Sequence, residues 1–213
     1  MTYHSVEDIC SHKRATLARI IEVVGGLSIE QSNQRPTVGG WTIAEIIEHL
    51  SIVDGQMLQL VSALLRKSEN ATDARPSSST FVISLDTLAQ QFGTQRIATR
   101  DNFQPTGRPS IAQSLASLND TQEQLCNLSP RLISVDLCGV TFPHWFLGPL
   151  NLGQWLAFIG YHEQRHLNQV LSILAQPDFP QPGSRCAPNQ ALKLTVASWV
   201  QSAWLIMGLS FYY

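Results

Sequence analysis

Four stretches of the chain carry apolar residues at helical spacing, each bounded by turn-forming or capping residues. From Val6 to Leu27, Ile9, Ala15, Leu17, Ile20, Val23 and Val24 recur at helical spacing. That period predicts a helix with one apolar face, and Gly25, Gly26 and Ser28 close it. A polar loop, EQSNQRPTVGG, leads into WTIAEIIEHLSIVDGQMLQLVSALLRK. There Ile46, Leu50, Val53, Met57, Leu60 and Leu64 predict a second helix over about residues 42–66. Thr42 and Glu45 have the spacing at which each side chain can satisfy the other's free backbone amide. Ser110 can cap a third helix running to about Leu128, with Ile111, Leu115, Leu118 and Leu125 inward and Pro130 beyond. Asn151 can cap a fourth over about 152–175, whose inner face carries Leu152, Trp155, Ile159, His162, His166, Val170 and Ile173. Pro177, Pro180, Pro182 and Gly183 end it.

The connecting segments have a different character. Residues 68–80, SENATDARPSSST, have linker composition. FVISLDTLAQQFGTQR reads as a short helix or as irregular packing, and FQPTGRPS as a turn region. Gly139, Pro143, Gly148 and Pro149 leave no room for a long helix over residues 131–150. No strand alternation competes with the helices. The pattern therefore predicts an all-α four-helix bundle, with inter-helix loops long enough to roof a site. The bundle domain is expected over residues 1–176, with an atypical C-terminal extension over 177–213. The extension ends in ALKLTVASWVQSAWLIMGLSFYY. After Lys193 it is about as long as a bilayer-crossing helix needs to be, but Thr195, Ser198, Gln201, Ser202 and Ser210 dilute it. A short apolar helix packed on the domain or a partner, an extension with no function of its own, and a membrane anchor all remain open; the anchor fits least well.

Charge narrows the function classes. The 213 residues include 14 Lys+Arg against 16 Asp+Glu, a net charge of −2. A nearly neutral chain argues against binding a nucleic-acid backbone as the main task. The four cysteines, Cys10, Cys126, Cys138 and Cys186, form no CxxC pair, and MTYHSVEDICSHKR has no apolar run. The expectation is a cytoplasmic protein with reduced thiols.

The candidate chemistry lies in the histidines. His162 and His166 are four apart on the fourth helix, so both rings fall on one face and can chelate a divalent ion. They also continue the apolar row Leu152, Trp155, Ile159, which points them inward, where an imidazole needs partners. His49 holds a similar inward place beside Ile46, Leu50 and Val53. Three such histidines can fill three corners of a tetrahedron and leave the fourth open, as in catalytic zinc sites. Residues 162–166 also spell HExxH, so Glu163 could serve as the base of a zinc peptidase. Against that reading, no strand-bearing domain precedes the motif, and no histidine or glutamate follows it. Glu163 is instead expected as a helix-face residue between ligands. Gln169 can hydrogen-bond a ligand's second ring nitrogen. Glu45 is first a cap, and Glu48 faces elsewhere. Arg165 is either a surface residue or an anchor for an anion or a distant acid. His144 can cover the site entrance, Trp41 and Trp155 read as core anchors, and His12 as surface or inter-helix packing. No cysteine has a paired base, so a protein thiol nucleophile is not expected.

Three separated blocks, in order, resemble the DinB-like superfamily, which includes the YfiT-like metal-dependent hydrolases. GGWTIAEIIEHL (39–50) looks like that family's tryptophan followed by a helix-two histidine. FQPTGRPS (103–110) looks like the segment before its third helix, and FPHWFLGPLNLGQWLAFIGYHEQRHLNQV (142–170) like its final-helix block. The resemblance spans about residues 5–175. It implies a four-helix bundle, commonly a homodimer, in which His49, His162 and His166 hold a divalent metal ion, zinc or nickel. It further implies a small-molecule substrate, with activity either as an S-transferase using a low-molecular-weight thiol such as bacillithiol or mycothiol, or as a hydrolase. Two features depart from the pattern: the inserted Trp145-Phe146 before Gly148, and the extension after Ala175. The rival reading is a bundle that binds metal or a small ligand without turnover, or a protein-interaction module.

Overall fold

The computed structural model describes residues 2–37, 39–71 and 99–180, together with the backbone of residues 83 and 84. Four long helices dominate: α1 (Val6–Val24), α3 (Ile43–Glu69), α4 (Ile111–Asn127) and α6 (Leu152–Leu174). Short helices α2 (Ile29–Asn33) and α5 (Ser129–Leu132) lie in the connections, as does a 3-10 turn at Asp101–Phe103. Two small antiparallel pairs complete the described residues: β1 (Thr2–Tyr3) with β2 (Ile83–Ser84), and β3 (Thr141–His144) with β4 (Gly148–Asn151).

Local chemistry explains where the long helices begin. Thr42, Ser110 and Asn151 each accept a hydrogen bond from the amide three residues on, and the Glu45, Gln113 and Gln154 side chains accept one from the cap's own amide. Two of the amides that no helix turn can serve are thereby satisfied at each start. Ser28 and Gln31 repeat the box at α2, inside a segment whose polar composition reads as loop. The hairpin β3–β4 occupies the proline- and glycine-rich stretch before α6. Trp145 and Phe146 form its tip, and Gly148 takes a φ of 76° that other residues rarely adopt. The segment 81–96 lies outside the described residues except for β2.

Two apolar clusters show how the helices run. One joins the start of α1 (Val6, Ile9, Cys10), the far half of α3 (Val53, Met57, Val61, Leu65), the end of α4 (Leu125) and the start of α6 (Trp155, Leu156, Ile159). The other joins the end of α1 (Leu17, Ile20, Val24), the start of α3 (Ile43, Ile46, Leu50), Leu118 of α4 and the end of α6 (Leu167, Val170, Ile173). Hence α1 and α6 run one way, α3 and α4 the other. Parallel neighbours such as α3 and α4 cannot be joined by a tight turn, which accounts for the long connection over residues 70–110. Where the two clusters meet, Lys13, Asp54 and Glu163 are buried. Ala15, which shares the apolar period of α1, is exposed, while Lys13 and Thr16 turn inward.

Packing continues just past residue 176. Phe179 is buried in the second cluster, and Gln31 of α2 donates to the Pro180 carbonyl at 2.8 Å. Thr37 bonds the Asp178 carboxylate nearby. Among the described residues, no helix is long and apolar enough to cross a membrane. The apolar run that follows Lys193 lies outside them.

Candidate metal centre

His49 sits in the second turn of α3, and His162 and His166 one turn apart on α6, which packs against α3. Their Nε2 atoms converge. His162 Nε2 stands 3.3 Å from His49 Nε2 and 3.2 Å from His166 Nε2, and the three candidate ligand atoms lie within 4.8 Å of one another. Nitrogens bound tetrahedrally at zinc distances are separated by about 3.3 Å. The three histidines that the sequence singles out are thus brought together in one place.

The outer nitrogens of two rings are held by neighbours. The Phe103 carbonyl accepts from His49 Nδ1 at 2.8 Å, and Gln169 Oε1 accepts from His166 Nδ1 at 2.8 Å. With the protons on Nδ1, both Nε2 atoms present bare lone pairs to the shared centre. His162 Nδ1 is buried without a hydrogen-bond partner. Wherever His162 carries its proton, at least one Nε2 lone pair faces another without a hydrogen between them. Protonation offers no relief. Burial, then the nearby His49, holds His166 down to about 3. Burial followed by its two histidine neighbours holds His162 well below the ordinary value, and burial lowers His49 too. Three neutral imidazoles aimed at one point fit a divalent cation.

The surroundings are aromatic. The Trp41 ring lies 4.6 Å from that of His49 and 6.4 Å from that of His166, so Trp41 roofs the cluster instead of serving only as a core anchor. Trp155 is a core residue and donates to the Phe142 carbonyl. His144 packs on Phe158, and Phe158 stacks on His162, so His144 is one ring removed from the cluster. Its Nδ1 accepts from the Phe146 and Leu147 amides and shapes the hairpin tip. His12 packs edge-on against Tyr3.

The acids near the site are engaged elsewhere. Glu45 caps α3 and pairs with Arg35. Glu48, buried on α3, accepts from the Thr106 amide and hydroxyl and from the Gly107 amide, fastening the loop that carries Phe103. Glu163 corrects the sequence reading. It is not a residue of the outer helix face: it is 1% exposed and turned to Lys13. Its carboxylate is engaged with Lys13, not held ready for a metal-bound water as a peptidase base would be. Arg165 lies half-buried beside the Tyr161 hydroxyl. Lys13, Asp54 and the Phe103 carbonyl escape a reading by residue type. Helical phase contains the one usable signal, since Ile9, Lys13 and Leu17 lie four apart on one row.

Fold and site together define a four-helix bundle with three inward histidines from two of its helices. The sequence model of the DinB superfamily matches residues 13–170, and the chain belongs to that superfamily. An uncharacterized protein of Bacillus subtilis (strain 168), YuaE, is 32% identical over 148 residues, covering 70% of this chain and 86% of that protein. The solved structure of TT2238, described as a four-helix bundle protein, shares the fold with a TM-score of 0.52 at 19% identity, over 79% of this chain and 99% of that one.

Proposed function

We propose that His49, His162 and His166 hold a divalent zinc or nickel ion and that the chain is a metal-dependent enzyme acting on a small molecule, with a low-molecular-weight thiol as co-substrate. The observation that carries this reading is the convergence of three neutral Nε2 atoms at 3.2 and 3.3 Å with no hydrogen to share among them all. When bound, the ion supplies Lewis acidity and lowers the pKa of a small nucleophile at its open position.

The protein's own residues orient and shield. Phe103 and Gln169 fix the tautomers of His49 and His166, and Trp41 and Phe158 cover the rings from two sides. Thiol transfer is favoured over hydrolysis because Glu45, Glu48 and Glu163 are each committed to other partners. A thiol is a far stronger acid than water and so needs less help from a protein base to become a nucleophile.

Elemental analysis of untagged protein, with the triple His→Ala variant beside it, tests the metal. One equivalent of zinc or nickel in the wild type and none in the variant is expected; no metal in either at micromolar supply would sink the reading. Thiol-dependent consumption of an electrophile by the loaded protein tests the transferase. Metal binding without such turnover returns the chain to a non-catalytic metal-binding bundle.

A further inference from the structure

Lys13 is fully buried, a rare place for a lysine. Its Nζ lies 2.9 Å from Asp54 Oδ2 on α3 and 2.5 Å from Glu163 Oε1 on α6, and both acids are 1% exposed. One ammonium from α1 thus joins the two helices that supply the three histidines. Glu163 directly follows His162, and Asp54 lies little more than one turn beyond His49. Close helix approach makes the reach possible. A Cβ on Gly160 would sit 3.6 Å from Lys13 Cγ, 3.4 Å from His12 and 3.1 Å from the Tyr3 hydroxyl, so α1 lies tight against α6.

Stability alone does not account for this arrangement. Burying an ammonium and two carboxyl groups strips all three of water, and such a cluster usually fares no better than apolar packing. The best-attested use of such groups is to fix register. Apolar side chains specify no unique partner, whereas an ammonium held between two carboxyl groups pairs α3 with α6 in one register.

We propose that Lys13 is the positioning residue of the metal centre: bridging Asp54 and Glu163, it sets the register of α3 against α6 and so the convergence of His49 with His162 and His166. The inference rests on the metal reading above. It assigns no role to Lys13 at the reacting atoms.

Cobalt(II) alone, titrated into metal-free full-length protein, tests it. The absorption bands of the bound ion report its geometry, and competition with a chelator reports affinity. The variant Lys13→Met/Asp54→Asn/Glu163→Gln replaces all three ionisable groups and leaves the volume nearly unchanged. It should keep its helical dichroism, bind cobalt at least about tenfold more weakly, as loss of groups supporting metal ligands does, and lose the intense tetrahedral bands. Glu163→Gln alone leaves an oxygen for Lys13 and should stay within about twofold of wild type. If the triple variant does not fold, Asp54→Leu decides, because it detaches α3 while Lys13 and Glu163 stay paired; the same weakening is expected. A folded triple variant or Asp54→Leu protein with wild-type affinity and spectrum overturns the positioning role and leaves the metal reading intact. Wild-type protein that takes up no cobalt overturns both.

Discussion

Glu48 and His49, neighbours on α3, hold one loop at two points. His49 Nδ1 donates to the Phe103 carbonyl, while the Glu48 carboxylate takes the Thr106 amide and hydroxyl and the Gly107 amide at 2.6–2.8 Å. The loop that orients a proposed ligand is therefore anchored by the residue beside that ligand. Glu48→Ala takes the shared acceptor from three donors of a loop whose Thr106 and Gly107 are exposed, so water replaces part of it, and the change is expected to cost about 1.5 kcal/mol. Urea unfolding measures the loss, and amide exchange should quicken at residues 103–107. An unchanged midpoint with unchanged exchange would show that the loop holds by other means.

Gln169 gives His166 its tautomer. Gln169→Leu should weaken zinc binding by about tenfold, whereas Gln169→Glu, which keeps an acceptor, should not. Chelator competition distinguishes them. Equal affinities for the leucine variant and wild type would remove Gln169 from the site.

Gly160 lets α1 close on α6. Its missing Cβ would already stand 3.1 Å from the Tyr3 hydroxyl. Gly160→Leu must push the helices apart and is expected to cost about 3 kcal/mol, read as a lower thermal midpoint. Gly160→Ala should cost much less, because a few tenths of an ångström of movement at the Tyr3 hydroxyl accommodates it and alanine favours the helix.

His144 makes stability depend on pH. Burial pulls it from the ordinary 6.5 to about 4. Between those values the unfolded chain binds a proton that the folded chain does not, so stability contributed by the neutral ring is present above 6.5 and drains away as pH falls toward about 4. The hairpin amides of Phe146 and Leu147 need the Nδ1 lone pair, which protonation would remove. His144→Asn should flatten this limb of the stability curve by on the order of 3 kcal/mol. Urea midpoints measured at pH 4.5 and 7 test this: an equal acid slope in the variant would place the effect elsewhere.

The bundle's long helices are local facts, legible along the chain. The capping pairs at Thr42, Ser110 and Asn151 act within three residues, and the apolar stripes repeat within two turns. For the same reason His162 and His166 are recognisable as a pair, and phase alone turns His49 inward. α2 hides in a polar loop because its capping box, not an apolar stripe, sustains it. The two-stranded pieces hide because each strand is too short to alternate visibly.

What the sequence by itself determined is thus the helices, their inward faces, the three histidines and a nearly neutral net charge. Tertiary structure alone decided what each charge meets. Lys13 and Glu163 are 150 positions apart, and no periodicity reveals that one faces the other; residue type places both on the surface. The same holds for Phe103 and His49, joined through a backbone carbonyl that every residue possesses. Side-chain period is a property of one helix, whereas the partner of a buried charge is set by the register between helices.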